Sequence, residues 1–211
     1  MSRIFYFGVN SSLCRLLKFY NTILYMKNVY RKTAFPVDQA RTYLEPGPIV
    51  LVSSQYGQKK NVMTMGWYTV MEFNPSLVGC MITAANDSFE LIRKSGCCVI
   101  NLPTYSMIET IIGIGNDHGS SVDKFKKYQL KYSDAHTVAA PVLDDCYANF
   151  ECRLYDKKLL NTYNFFIFEV TYAAVAKSPK YPQTAHYRGS GLFMVSGETA
   201  SYKKLFKRKD L

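Results

Sequence analysis

Residues 61–73 read Asn-Val-Met-Thr-Met-Gly-Trp-Tyr-Thr-Val-Met-Glu-Phe, and this stretch decides the fold. Residues of a strand alternate between two faces. One face here carries Asn61, Met63, Met65, Trp67, Thr69, Met71 and Phe73; the other carries Val62, Thr64, Gly66, Tyr68, Val70 and Glu72. Both sets are largely apolar, as in a strand covered on two sides. In a barrel, one face fills the interior and the other meets a ligand or a second subunit. The pattern predicts one long strand, closed by Asn74-Pro75. It sets Asn61 and Trp67 on the same face, an amide and a large π-surface on one wall, as a flat heteroaromatic ligand requires. Gly66 allows close approach of a backbone or ligand. On composition alone, a core strand whose only Trp is packing is the simpler reading.

Further strands are expected on either side, at Ile49–Ser54, Leu77–Thr83, Cys97–Leu102 and Gly191–Ser196. Ala148–Tyr155 and Tyr163–Ala176 read as a long hairpin around Lys157–Asn161. Tyr56–Lys60 is a polar turn around Gly57. Helices are expected at Ser88–Ser95, with Gly96 just past its end, and at Tyr105–Ile112, ended by Gly113 and Gly115. Asp38 is a candidate N-cap for an amphipathic stretch Gln39–Leu44, stopped by Glu45-Pro46-Gly47-Pro48. Strands dominate, and there is no steady βαβα alternation. The fold class is therefore mainly β (α+β), an antiparallel barrel with inserted short helices.

The chain of 211 residues suffices for one domain with a hydrophobic core. Its net charge of +10 is unevenly placed. Residues 1–37 carry six basic side chains and no acid, and residues 203–211 carry a net +4, so residues 38–202 are neutral. Terminal charge runs are usually solvated, which argues against a nucleic-acid binder, whose basic stripe lies on the folded surface. Six cysteines without a CxxC pair suit reduced, buried thiols of a cytoplasmic protein better than a zinc site or a disulfide scaffold. No apolar run approaches the roughly 20 residues of a membrane span. Residues 1–25 are read as an extension outside the natural product, with a peripheral membrane anchor as the alternative; Met26 opens a sensible start for a domain 26–202, followed by a basic tail, 203–211.

Two more segments carry chemistry. Asn86-Asp87-Ser88 opens a helix and holds three good N-cap residues, with Asp87 and Glu90 at capping-box spacing. A helix start of this kind can hold a phosphate, although a plain capped helix is commoner. In Gly119–Phe125, Lys124 could supply a point charge to a phosphate, against the usual solvated fate of a loop Lys. The histidines His118, His136 and His186 are scattered, no GxSxG element occurs, and Gly113-Ile-Gly115 follows a helix rather than a strand, so no dinucleotide-binding fingerprint is assigned.

The order GPIVLVSS, NVMTMGW, NPSLVGCMI, NDS before a helix, CCVINLP and VDKF resembles the flavin reductase-like family, including flavoredoxin-type proteins, over roughly Pro46 to Ser196. The resemblance implies an FMN-binding split barrel, usually a homodimer with flavin near the subunit interface. It implies that Asn61, Met63, Thr64 and Trp67 line the flavin, and that Asn86, Ser88 and Lys124 hold its ribityl phosphate. Electron or hydride transfer, with NAD(P)H or a ferredoxin-like donor, is the expected role. A non-catalytic FMN-binding sensor or storage barrel is the alternative. The segment His186–Phe193 also looks like the family's C-terminal stretch, without an assigned contact.

Overall fold

The computed structural model of the protein describes residues 30–40 and 47–205. The expected extension 1–25, residues 41–44 of the amphipathic stretch, and 206–211 of the basic tail lie outside the described residues. Eight strands form the main sheet: β1 (Lys32–Phe35), β2 (Val50–Tyr56), β3 (Lys59–Met65), β4 (Tyr68–Glu72), β5 (Leu77–Met81), β6 (Cys97–Leu102), β9 (Ala148–Asp156) and β10 (Phe165–Ala176). Two small pairs join β7 (Tyr132–Ser133) to β8 (Val142–Leu143), and β11 (Ala185–Gly189) to β12 (Leu192–Val195). The helices are α1 (Asp87–Ser95), α2 (Ile108–Asn116), α3 (Lys124–Lys127) and α4 (Leu160–Tyr163).

Every pairing is antiparallel, and the main order is β3-β2-β6-β9-β10-β5-β4, with β1 also on β10. The strands at the two ends of this order, β3 and β4, are consecutive in the chain and joined only through Gly66-Trp67. The sheet is thus a split barrel: its edges are linked by the chain and not by a ladder.

This crossing corrects the expectation of one continuous strand from Asn61 to Phe73. Met63 and Met65 belong to the barrel core, and Tyr68 and Val70 pack against that same core. Met65 and Tyr68 are three positions apart, an odd number, so the alternation slips by one residue at Gly66-Trp67. The slip exists because the chain leaves one sheet edge and enters the other; the Trp67 carbonyl already accepts from Met81 N–H at 2.9 Å. Asn61 and Trp67 consequently do not share a face.

The barrel core contains Val50, Val52, Ile100, Phe150, Phe166 and Phe168, and α1 inserts Phe89 and Ile92 into it. Each fully buried side chain of this size contributes about 1.5–3 kcal/mol. Helix α1 is capped by Asn86, whose side chain accepts from Ser88 N–H, and ends at Gly96 in the left-handed conformation, φ +68°, donating to Ile92 O. A second core lies outside the barrel, where Ile111 and Ile114 of α2 and Phe125 of α3 cover Leu51 of β2 and Val62 of β3. This is why β2 is buried on both faces. Cys80, Cys98 and Cys152 are buried in the barrel core, where desolvation pushes the Cys80 thiol well above its ordinary range and the Cys152 neighbour, together with burial, does the same for Cys98.

Helix α2 runs through both glycines expected to end it. A Cβ on Gly113 would sit 2.5 Å from the Tyr128 ring, so glycine here permits close packing. Asp38 lies within a 3-10 turn, Val37–Gln39, which Pro36 precedes. Strands β1, β7, β8 and β11 lie in stretches for which no strand was expected.

Candidate functional site

A cleft of about 610 Å³ opens at the β3–β4 crossing. Thr64 and Gly66 line it at the crossing, with Trp67 exposed at its mouth; Ile111, Ile112, Gly115 and Asn116 of α2 form one wall; Tyr187, Gly191 and Phe193 of the β11–β12 hairpin form the other. Thr64 Oγ1 donates to Ile111 O at 2.7 Å and fixes α2 against the edge strand. The hairpin is anchored by the Ile49 N–H to Ala185 O bond, 2.8 Å, and by the Tyr105 N–H to Gln183 O bond, 2.7 Å. Trp67 is 70% exposed, an unusual state for the most apolar-bodied side chain. Four glycines, Gly47, Gly66, Gly115 and Gly191, bring bare backbone to the lining. Among the described residues no lining side chain is charged.

Asn61 lies at the opposite end of β3 and is buried. Its Nδ2 donates to Ser88 Oγ at 3.0 Å. Ser88 and the N-cap Asn86 open α1, so three of the expected residues meet at one helix N-terminus. Ser54 stands directly opposite Asn61 in the ladder, and its buried hydroxyl has no partner among the described residues. Asp87 does not cap its own helix: its carboxylate accepts from Gly119 N–H at 2.8 Å, with His118 Nδ1 3.8 Å away. Gly119 is required here, since a Cβ would lie 2.3 Å from Asn61 Oδ1.

Lys124 is neither a solvated loop lysine nor a side chain of the cleft. It is buried, and its Nζ donates to Val62 O at 3.0 Å and to Ile114 O at 2.9 Å. It satisfies a carbonyl in the last turn of α2, where helix carbonyls lack partners, and ties that end to β3. Burial lowers its pKa, opposed by the charges of Asp87 and Asp117. Met63 packs in the barrel core and is not part of the cleft lining. The seven expected residues therefore divide: Thr64 and Trp67 at the cleft; Asn61, Asn86 and Ser88 at the α1 start; Lys124 beside that start, at Val62; Met63 inside.

A second cleft, about 360 Å³, lies between β1, β9, β10 and the β7–β8 pair. Its ionic groups are largely used internally. Lys32 Nζ donates to Asn149 Oδ1 at 2.5 Å and Leu143 O at 3.2 Å, while buried Glu151 accepts from the His136 and Thr137 backbone N–H groups and from Thr137 Oγ1. This network holds the β7–β8 segment to the barrel. Among the described residues no cluster of three His, Cys, Asp or Glu side chains could hold a metal ion, and no helix is long and apolar enough to cross a membrane.

Ile111, Ile112, Gly115 and Asn116 were missed by reading 105–115 as a glycine-ended helix, and the Tyr187–Phe193 wall by leaving that segment without a contact. Two glycines inside an apolar helical pattern are the available signal: such glycines usually have a packing or site reason.

Residues 42–192 match the family model described as flavin reductase like domain. An uncharacterized protein of Pyrococcus abyssi is 32% identical over 127 residues, covering 60% of this chain and 73% of its own. An uncharacterized protein of Escherichia coli is 25% identical over 173 residues, covering 75% and 92%. Among solved structures, an FMN-binding domain of a flavin reductases-like enzyme from Shewanella baltica superposes with TM-score 0.76 at 22% identity, covering 82% of this chain and 98% of that one. Flavoredoxin of Desulfovibrio vulgaris gives TM-score 0.67 at 18% identity, covering 74% and 90%. At these identities the structural likeness speaks for the fold, which is the split barrel described above.

Proposed function

The chain belongs to the flavin reductase-like domain family, and on that premise we propose that each subunit holds one FMN and uses it for electron or hydride transfer. The observation that carries this reading is the uncharged, glycine-lined cleft with Trp67 exposed at its mouth. A flat apolar ring with hydrogen-bonding edges fits such a lining. The anionic end fits the start of α1, where Asn61, Ser88 and the orphaned Ser54 hydroxyl gather beside the positive pole of a nine-residue helix. Asn61 and Thr64 are three residues, about 10 Å, apart on the edge strand β3 and on its opposite faces, so a single ligand reaching both would pass around the free edge of that strand.

When bound, the flavin supplies the redox chemistry, and the protein supplies orientation, hydrogen bonding and control of water. Thr64 holds α2 in place as a wall. Trp67 presents a π-face at the mouth. Asn86 occupies the Ser88 N–H, so the phosphate contacts fall to the remaining amides and hydroxyls there. Lys124 acts by tying α2 to β3 and by its buried charge. Among the described residues the cleft lining has no ionisable acid or base apart from the Tyr187 phenol, and hydride delivery to a flavin needs none.

A homodimer belongs to the same proposal. Trp67 and Met71, with Met81 of β5, stand exposed along the outer side of β4, an apolar strip of the kind that a second copy covers. NAD(P)H or a ferredoxin-like protein is the proposed donor, in the cytoplasm. The test is a visible spectrum of the purified protein with FMN, before and after anaerobic NADH, NADPH or reduced ferredoxin, with light scattering for mass. Retained flavin bleached by one donor is expected. Failure to take up FMN overturns the assignment, and flavin that no donor reduces turns it to the storage or sensor role.

A further inference from the structure

The cover over the α1 start carries one step further, and that step rests on the flavin reading. We propose that residues 118–122, between α2 and α3, form a flap over the phosphate end of the flavin, that Asp87 is the positioning residue that latches it, and that FMN enters and leaves when this latch opens.

The groups assigned to the phosphate are sealed. Asn61 is 4% exposed, and Ser54 and Ser88 are 0% exposed. Ser54 stands opposite Asn61 in the β2–β3 ladder, so both side chains lie on one face of the sheet, and its hydroxyl has no partner among the described residues. A ligand reaches these atoms only after a covering element moves. Residues 118–122 supply part of that cover: the backbone of Gly119 lies against the Asn61 amide, where a Cβ would come 2.3 Å from Oδ1. Helix α2 packs on the Val62 face of β3, and Asn61 is on the opposite face. The connection from α2 therefore rounds the outer edge of β3, the same edge that a flavin joining the cleft to the α1 start must pass.

The span is built to open. Its two ends are fixed: Asp117 accepts from Lys127 Nζ at 3.0 Å and from Tyr128 Oη at 2.6 Å, and Asp123 accepts from Lys126 N–H at 3.1 Å. Between them, the N–H groups of Ser121 and Val122 donate to His118 O, inside the span. None of residues 118–122 is buried. Among the described residues, the polar contact of this span with the rest of the protein runs through one carboxylate: Asp87 Oδ2 accepts from Gly119 N–H at 2.8 Å and lies 3.8 Å from His118 Nδ1. Asp87 is available for this because Asn86 caps α1 in its place. A segment with firm ends, no buried side chain and a single latch opens locally at low cost, and flaps of this kind set the rates at which ligands come and go.

The test uses the full chain and follows FMN exchange by stopped-flow flavin fluorescence, with riboflavin, which lacks the phosphate, as the comparison. In the parent, the rate of FMN uptake is expected to level off with rising FMN at the opening rate of the flap, while that of riboflavin climbs linearly. This measurement holds whether or not a variant folds. Asp87→Asn and Asp87→Ala remove the same charge, but only the first keeps an acceptor for Gly119 N–H. FMN release is expected to be about threefold to tenfold faster from Asp87→Ala than from Asp87→Asn, the worth of one net hydrogen bond. Riboflavin release should be alike in the two, and the Gly119 amide should exchange with deuterium faster in apo Asp87→Ala. FMN uptake that stays linear, FMN release equal in the two variants, riboflavin release accelerated as much as FMN release, or an unchanged Gly119 amide would overturn the proposal and leave the flavin reading standing. A parent that takes up no FMN would instead sink the flavin reading, and this inference with it.

Discussion

Asn61 and Ser88 are joined by a hydrogen bond of 3.0 Å across 27 positions of sequence, linking the edge strand β3 to the first turn of α1. Gly119 leaves the room for it, because a Cβ there would reach 2.3 Å from Asn61 Oδ1 and 2.9 Å from Nδ2. Asn61→Ala removes the donor to a buried hydroxyl and is expected to cost about 1–2 kcal/mol, along with FMN affinity. Gly119→Ala is expected to weaken FMN retention by pushing Asn61 aside. Combining the two should cost less than their sum, since the clash disappears with the amide. A urea and FMN-titration double-mutant cycle measures this; strict additivity would mean that Gly119 and Asn61 do not act on one another.

Lys124→Met keeps the apolar stem and deletes the ammonium. The Val62 and Ile114 carbonyls then lose their charged donor, with an expected loss of about 1–3 kcal/mol. The effect should appear in the apo protein as a lower urea midpoint. An unchanged midpoint with reduced FMN affinity would show instead that Lys124 serves the ligand directly.

Trp67 presents the reverse case. At 70% exposure it contributes little to the core, and Trp67→Ala is expected to change apo stability by no more than about 0.5 kcal/mol, the usual range for surface substitutions. Loss of an aromatic contact should still weaken FMN binding by about 0.5–1.5 kcal/mol. Thermal melts and FMN titration separate the two quantities, and a large drop in melting temperature would place Trp67 in the packing.

The carboxyl of Asp117 is held below its ordinary range by hydrogen bonds from Lys127 Nζ and from Tyr128 Oη, the latter 2.6 Å long. A depressed carboxyl stabilises the fold above its unfolded pKa, and that contribution is lost as pH falls through the folded value. The combination Lys127→Ala and Tyr128→Phe should therefore lower stability at neutral pH. The variant and parent curves should converge as pH drops below about 3.9, the ordinary Asp value. Urea midpoints across the acid range report this, and a gap that persists at the lowest pH would assign the effect to packing of Tyr128 on Gly113.

Alternation, punctuation and composition by themselves determined that this chain is a mainly antiparallel barrel with inserted helices, because period-2 patterns, capping residues and glycine stops act over a few neighbouring positions. Cys97–Leu102 appears as a strand with those same bounds, and Gly96 ends α1 as a left-handed cap. Local pattern also brought Asn61, Asn86 and Ser88 into consideration, since they sit at a strand and a helix start. Tertiary structure alone decided where the strand from Asn61 breaks, because the slip at Gly66-Trp67 comes from closing a sheet whose edges are consecutive strands. It also decided that Lys124 turns inward to two carbonyls, and that Tyr187 and Phe193 stand across a cleft from Ile111 and Ile112. Those relations depend on elements separated by long loops, whose mutual placement is set by burial of the two cores and leaves no trace in local periodicity.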